Sequence, residues 1–213
     1  MEAIKDRLSY NLENKRYCYF ERKIGNSKIE NKFGFVIDFN DDFVILQETD
    51  DFEVCGYSVI PINTISKVRF NNNDKYYDKI MHCERLTDKI VKKHNINLSN
   101  WESIFKSIKK LNLNVIIENE NPNENSFDIG PITKVSKDAV YIRYFNAQGL
   151  LNTEPSKIIW SKITTVKFDD RYINIFSKYL RERKEKSIKN NALPLTGGLA
   201  QAGVKMKWKI ERL

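Results

Sequence analysis

The sequence predicts an α+β protein that is mainly β, built from two tandem small antiparallel β-barrels, each preceded and followed by a helix, with a basic C-terminal strand. Three observations lead to this prediction. The chain resembles itself at an offset of 96 to 98 residues, runs rich in β-branched and aromatic residues recur in both halves, and Asn or Asp turns separate those runs. We expect β-barrel modules with closing helices at residues 1–95 and 96–190, then a Gly-rich linker and a strand at 191–213.

The internal repeat is carried by two blocks in each half. Residues 34–46 align with 130–142 at an offset of 96, and residues 65–70 align with 163–168 at an offset of 98. Gly34 and Gly130 coincide in the first block. A glycine inside a strand marks a bend or the close approach of another backbone. We therefore expect such a point in the second strand of each half.

The elements follow the same order in each half, namely a helix, five strands and a closing helix. Apolar residues at helical spacing predict the first helices, and longer amphipathic stretches predict the closing helices. The predicted helices span residues 2–14, 75–94, 100–111 and 171–189. The predicted strands span residues 17–24, 33–39, 43–47, 57–61 and 65–70, and then 113–118, 129–135, 139–145, 157–160 and 164–168.

This arrangement resembles the Sm-like fold over residues 1–71 and 99–169. The resemblance rests on the order of the elements, on a glycine in the second strand of each half, and on an apolar pair in the fifth strand. These are Gly34 and Gly130, and the endings Ile65-x-x-Val68 and Ile163-x-x-Val166. The resemblance implies two Sm-like or SH3-like barrels, each a meander with few free edges.

The chain departs from the Sm-like pattern where ring-forming members bind uridine bases. Asp41 fills the Asp position after the first glycine, but Val44 stands where the pattern has Asn. After the second glycine the two positions hold Lys137 and Val140. The Arg-Gly pair of the second signature is replaced by Pro61-Ile62 and Ile159-Trp160. The resemblance therefore implies the fold without the base-binding site.

Composition predicts a cytoplasmic protein that is neither exported nor inserted in a membrane. No run of 18 apolar residues occurs, and the N-terminus lacks the charged-then-apolar pattern of a secretory signal. The three cysteines form an odd set without C-x-x-C spacing, which is typical of a reducing compartment.

No arrangement of residues typical of catalysis or metal binding is evident in the sequence, so we expect a protein that is not an enzyme and holds no cofactor or metal. The two histidines, His82 and His94, lie about three helical turns apart, too far for two ligands of one metal. Neighbours His82 and Cys83 would point in different directions on a helix, which argues against a Cys-His pair. The acidic group Glu48, Asp50, Asp51 and Glu53 lacks the glycine and final Glu of a calcium loop, and we interpret it as a solvated turn.

The positive charge is concentrated at the C-terminal end. Residues 1–95 hold 16 basic and 16 acidic side chains, residues 96–170 hold 9 of each, and residues 171–213 hold 11 basic and 3 acidic ones. In the predicted helix at 171–189, the apolar face is formed by Tyr172, Phe176, Tyr179 and Leu180. Residues 204–210 alternate apolar and Lys, which predicts an edge strand. The candidate nucleic-acid-binding residues are Lys178, Arg181, Arg183, Lys184, Lys186, Lys205, Lys207 and Lys209.

Two functions remain open at this point. The first is a non-catalytic binding protein that associates with RNA through its basic C-terminal surface, because lysine and arginine contact phosphates without reading sequence. The alternative is a protein–protein interaction or scaffold subunit of a bacterial assembly that binds no nucleic acid, supported by the supply of aromatic residues, the small-barrel format and the missing base-binding residues. Lysines on an edge strand also prevent edge-to-edge aggregation, which would explain them without RNA. The expected partner is accordingly RNA or a protein.

Overall fold

A computed structural model of the chain describes residues 2–25 and 28–183. The described part forms one compact unit of helices and antiparallel strands. The helices are α1 (Glu2–Glu13), α2 (Asn72–Cys83), α3 (Trp101–Lys110) and α4 (Arg171–Ser177). The strands are β1 (Tyr17–Ile24), β2 (Lys28–Phe39), β3 (Phe43–Asp50), β4 (Glu53–Pro61), β5 (Ile65–Arg69), β6 (Val115–Asn119), β7 (Ser126–Gly130), β8 (Ile132–Val135), β9 (Ala139–Ile142), β10 (Ser156–Ile159) and β11 (Thr165–Phe168).

The predicted α+β class is confirmed, and the strands pair as two open sheets in place of two closed barrels. One sheet has eight strands in the order β5-β1-β2-β3-β4-β11-β6-β7, and the other has three in the order β10-β9-β8. Strand β4 pairs with β11 of the other half, so it is not available to close a barrel on β5. Pro131 separates β7 from β8 and divides what we predicted as one strand, because proline cannot donate to a ladder.

The same strand order recurs in the two halves. The first half has β5-β1-β2-β3-β4, and the second has β11-β6-β7 followed by β8-β9-β10. A 3-10 turn precedes the last strand of each half, at Ile62–Thr64 and at Trp160–Lys162. Order and turn therefore match across the halves, as the spacing of the aligned blocks suggests.

The second-strand glycines lie at matching points, as predicted. Gly34 has φ +153° and Gly130 has φ +152°. A Cβ on Gly34 would lie 2.2 Å from the carbonyl oxygen of Gln47, and one on Gly130 would lie 2.1 Å from that of Arg143. The prediction of a close backbone approach at both glycines is confirmed, and only glycine fits there without displacing a neighbouring strand.

The two halves share one hydrophobic core around the β4–β11 junction. Val59 pairs with Val166 and Tyr57 with Phe168, whose rings stack with centroids 5.4 Å apart. Strand residues of both halves belong to the same buried cluster, together with the inner face of α3. The residues after α2, up to Leu98, contribute Ile90 and other buried side chains to it. Burial across the junction therefore ties the halves into one folding unit.

Both closing helices are shorter than predicted. Helix α2 begins with a capping box between Asn71 and Asp74 and ends at Cys83. Arg85, with φ +56°, then breaks the helical path and leads into a 3-10 turn at Leu86–Lys89. The left-handed stop is occupied by arginine rather than glycine, so the usual sequence signal for a helix end is missing.

Candidate functional site

Helix α4 and the residues after it carry the described members of the predicted basic surface. Lys178 is the C-cap of α4, and Arg181 and Arg183 follow the helix. All three residues are exposed. The predicted helix at residues 171–189 ends at Ser177, so the prediction is wrong for residues 178–183. We call residues 178–183 the C-terminal strap. The other candidates lie outside the described residues, as do the predicted linker and strand. They are Lys184, Lys186, Lys205, Lys207 and Lys209.

The buried face of α4 differs from the predicted one. Asp170 caps the helix by accepting hydrogen bonds from the backbone N–H groups of Tyr172 and Ile173. Ile173 is completely buried and Phe176 packs against the same cluster. Tyr172, assigned to the apolar face from spacing, is 53% exposed, and Tyr179 is 69% exposed. The helix ends at Ser177, so a spacing continued beyond it does not describe one face.

The C-terminal strap is bound along a loop of the second half. The backbone N–H of Arg181 donates to the carbonyl of Gly149 at 2.8 Å, and that of Leu151 donates to the carbonyl of Arg181 at 2.9 Å. Gly149 has φ +71°, and a Cβ there would lie 3.0 Å from the carbonyl oxygen of Tyr179. These contacts hold the strap backbone at a fixed position on the body.

Side-chain contacts orient the two arginines of the strap. The Arg181 guanidinium donates to the carbonyl of Gln148 at 2.8 Å, and that of Arg183 donates to the Asn152 side-chain oxygen at 2.9 Å. Each guanidinium has five N–H donors, so further donors remain for a ligand.

The strap has a single acidic residue, Glu182, and a cation neutralises it. The hydrogen bonds from Arg143 lower the pKa of the Glu182 carboxyl, which stays ionised and paired. Residues 171–183 hold four basic side chains, of which Arg171 lies 3.4 Å from Glu53, and the excess rests on Lys178, Arg181 and Arg183. The surface therefore carries an excess of positive charge.

A buried ion cluster joins the two halves, and the sequence analysis did not identify it. Arg22 on β1 is completely buried. Its Nη1 donates to the Oε2 of Glu120 at 2.8 Å and to Thr165 Oγ1 at 3.0 Å, and Nη2 donates to the carbonyl of Thr164 at 2.8 Å. These partners belong to the second half, so one guanidinium connects β1 to the β6 and β11 side of the sheet. Such contacts define the relative position of the halves.

Two lysines extend the cluster toward the junction. Lys32 Nζ lies 3.5 Å from Glu48 Oε1, and Lys167 Nζ lies 3.8 Å from Glu118 Oε2. Burial alone would raise the pKa of Glu48, but Lys32 and Lys167 more than offset it, so its pKa is lowered. The interpretation of Glu48 as part of a solvated turn is therefore wrong. Strand β3 continues through it to Asp50.

A groove of about 850 Å³ lies between the halves on the side of the turns. Phe43, Trp101 and Trp160 line it, and the Phe43 and Trp101 centroids are 4.7 Å apart. The buried ring of Phe105 lies behind them, 6.0 Å from Trp101 and 5.6 Å from Trp160. The charged residues that line the groove are Asp41, Asp42, Glu102 and Lys137. Asp41 is paired with Lys5 at 2.6 Å and Glu102 with Lys106 at 2.5 Å, so the charges around the groove are balanced. Its aromatic rings and polar groups suit a polypeptide better than a polyanion.

In residues 2–25 and 28–183, no helix combines the length and apolar character needed to cross a membrane, and no group of three His, Cys, Asp or Glu side chains could hold a metal ion. Comparison with known proteins finds no family model, curated protein or solved structure that matches the chain. Function must therefore be inferred from the residues themselves.

Proposed function

We propose that the protein is a cytoplasmic, non-catalytic binding protein that associates with RNA through its basic C-terminal surface. The observation that carries the proposal is the set of exposed cations on a backbone bound to the body, with the carboxylate of Glu182 already paired to Arg143. Lys178, Arg181 and Arg183 are its described members, and the basic residues further along the chain add to the same charge. Phosphates are the natural partner of such a surface.

For the fold, we propose that each half is an Sm-like unit. The support is the strand order shared by the halves, the 3-10 turn before each last strand, and the matching approach of a carbonyl to Gly34 and Gly130. The two units share one sheet through β4 and β11. The neutral body then serves as a scaffold that presents the basic surface.

We expect RNA binding to weaken steeply with salt. Four phosphate contacts on a single strand correspond to a loss of roughly 50-fold in affinity between about 50 and 200 mM salt. Fluorescence anisotropy of the full chain with a labelled single-stranded RNA of about 15 nucleotides measures this. Lys178→Glu should weaken binding and make the salt dependence shallower, because it removes one counterion-releasing contact.

The control for Lys178→Glu is Lys79→Glu. Lys79 is exposed on α2, so this variant changes the net charge equally at another surface. Equal losses from the two variants would mean that total charge, rather than this surface, attracts RNA. Absence of binding even at about 50 mM salt would refute the proposal.

The second candidate function is a protein-interaction module, and the groove favours it. The ring of Phe43 in the first half contacts that of Trp101 in the second, and Trp160 also lines the groove. Aromatic residues of this kind are enriched at protein–protein interfaces. Purification of the untagged protein with and without nuclease separates the two functions. A protein that remains bound after nuclease and is lost on Trp160→Glu would favour the groove, whereas RNA lost on Lys178→Glu would favour the basic surface.

A further inference from the structure

Exposed tyrosines lie among the cations of the C-terminal surface. Tyr172 and Tyr179 are 53% and 69% exposed, and Ile175 between them is 47% exposed. Charge alone gives no reason for aromatic rings here, because phosphate contacts need only cations. Every nucleic-acid base has a π face that an exposed ring can stack on, and such stacking tolerates any sequence.

Tyr172 is held in place by packing on its own helix. Its ring lies beside that of Phe176 with centroids 4.8 Å apart, and Phe176 is stacked on the buried Phe145 at 5.5 Å. Its backbone N–H donates to Asp170. The ring therefore rests on the core of the second half through one intervening ring, and ordering it for a ligand costs little entropy.

Tyr179 is held by its backbone. Its N–H donates to the carbonyl of Phe176 at 2.9 Å, and its own carbonyl lies against Gly149 where a Cβ would be only 3.0 Å away. The next residues are hydrogen-bonded to the same loop through Arg181. The side chain is therefore exposed on a rigid support. Tyr172 in the first turn of α4 and Tyr179 just after its end thus place two exposed rings on either side of Lys178 in the chain's path from helix to strap.

We propose that Tyr172 and Tyr179 stack on bases of a single-stranded nucleic acid whose phosphates contact Lys178 and the strap arginines. This rests on the proposed function and specifies its ligand, since paired bases in a duplex do not present their faces. The protein prefers single strands to duplexes and shows little sequence preference.

The test compares Tyr172→Leu and Tyr179→Leu with Tyr172→Phe and Tyr179→Phe in the full chain. Leucine retains an apolar side chain without a π face, whereas phenylalanine retains the stacking surface. Each leucine variant should lower the affinity for single-stranded RNA roughly 5- to 100-fold, and each phenylalanine variant should bind with nearly the affinity of the parent. The slope of log affinity against log salt should stay unchanged, because stacking releases no counterions.

Two controls distinguish this inference from the proposed function. Tyr76→Leu changes an exposed tyrosine on α2 and should leave affinity unchanged. The same sequences as single-stranded DNA should respond like RNA, and duplex RNA should bind more weakly and ignore the tyrosine changes. Leucine variants that bind like the parent, while Lys178→Glu still weakens binding, would overturn the stacking inference alone. If the parent protein bound no nucleic acid at all, both the stacking inference and the proposed function would be overturned.

Discussion

Replacing Arg22 by methionine should lower the free energy of unfolding by about 3–5 kcal/mol. Methionine fills a similar volume but leaves the Glu120 carboxylate buried without its principal cation. It also removes the donors to Thr165 and to the carbonyl of Thr164. Urea unfolding monitored by circular dichroism measures the change, with the slope m checked for constancy.

The matched control for Arg22 is an exposed ion pair. Lys5 lies 2.6 Å from Asp41, whose side chain is 88% exposed, so Lys5→Met should cost no more than about 1 kcal/mol. The double variant Arg22→Met with Glu120→Leu should recover part of the loss, because no unpaired charge remains. If Arg22→Met proved as mild as Lys5→Met, the buried cluster would not hold the halves together.

Replacing Gly34 or Gly130 by alanine should each cost at least about 3 kcal/mol, from backbone strain combined with a steric clash. The Cβ would lie 2.2 Å from the carbonyl oxygen of Gln47 on β3 at Gly34, and 2.1 Å from that of Arg143, just after β9, at Gly130. The neighbouring backbone must therefore move in both variants. Equal losses are expected at the two positions, because their dihedral angles and contacts match. Thermal and urea unfolding measure both variants.

Gly25 offers the comparison for these glycines. It has φ +61°, and the nearest atoms to an added Cβ belong to the side chain of Asn121, at 3.3 Å. Asparagine tolerates this left-handed conformation, so Gly25→Asn should change stability little. An alanine at Gly34 that unfolded at the same urea concentration as the parent would contradict the close approach.

Local sequence patterns predicted most of the strands, because the alternation of apolar and polar residues along a strand follows which of its side chains are buried. Strand β1 begins at Tyr17 and ends at Ile24 as predicted, and from Cys18 onward its buried residues alternate with half-buried or exposed ones. The predicted turn before β3 is present, with Asn40 accepting hydrogen bonds from the N–H groups of Asp42 and Phe43. Side-chain chemistry within a few residues decides such features.

Features that depend on distant parts of the chain were missed. The pairing of β4 with β11 joins the halves, and it brings together residues that are far apart in the sequence, such as Val59 and Val166. Arg22 could have been suspected, because it shares the inward-facing row of β1 with Cys18, Phe20 and Ile24, and a buried arginine needs a partner. That partner, Glu120, is 98 residues away, beyond any local pattern.

For the basic surface, the sequence predicted the exposed cations correctly but assigned the tyrosines to the wrong face. Lys178, Arg181 and Arg183 were identified by charge, and their residues are exposed. Tyr172 and Tyr179 were assigned to the buried face because the helix was extended past Ser177. The strap leaves the helical path where its backbone is hydrogen-bonded to the loop around Gly149. The spacing of apolar residues in the sequence contains no information about these contacts. The predicted strand containing Trp208 lies outside the described residues and stays a prediction.

Ultraviolet crosslinking of the purified full chain to single-stranded RNA, followed by mass spectrometry of the crosslinked peptides, tests the central claim most directly. Bases stacked on aromatic rings crosslink efficiently because the π systems are in contact. We predict crosslinks at Tyr172 and Tyr179 that become weaker when Lys178 is changed to Glu at moderate salt. Crosslinks confined to Trp101 or Trp160 in the groove, or none while a bound protein partner is recovered, would contradict an RNA-binding C-terminal surface.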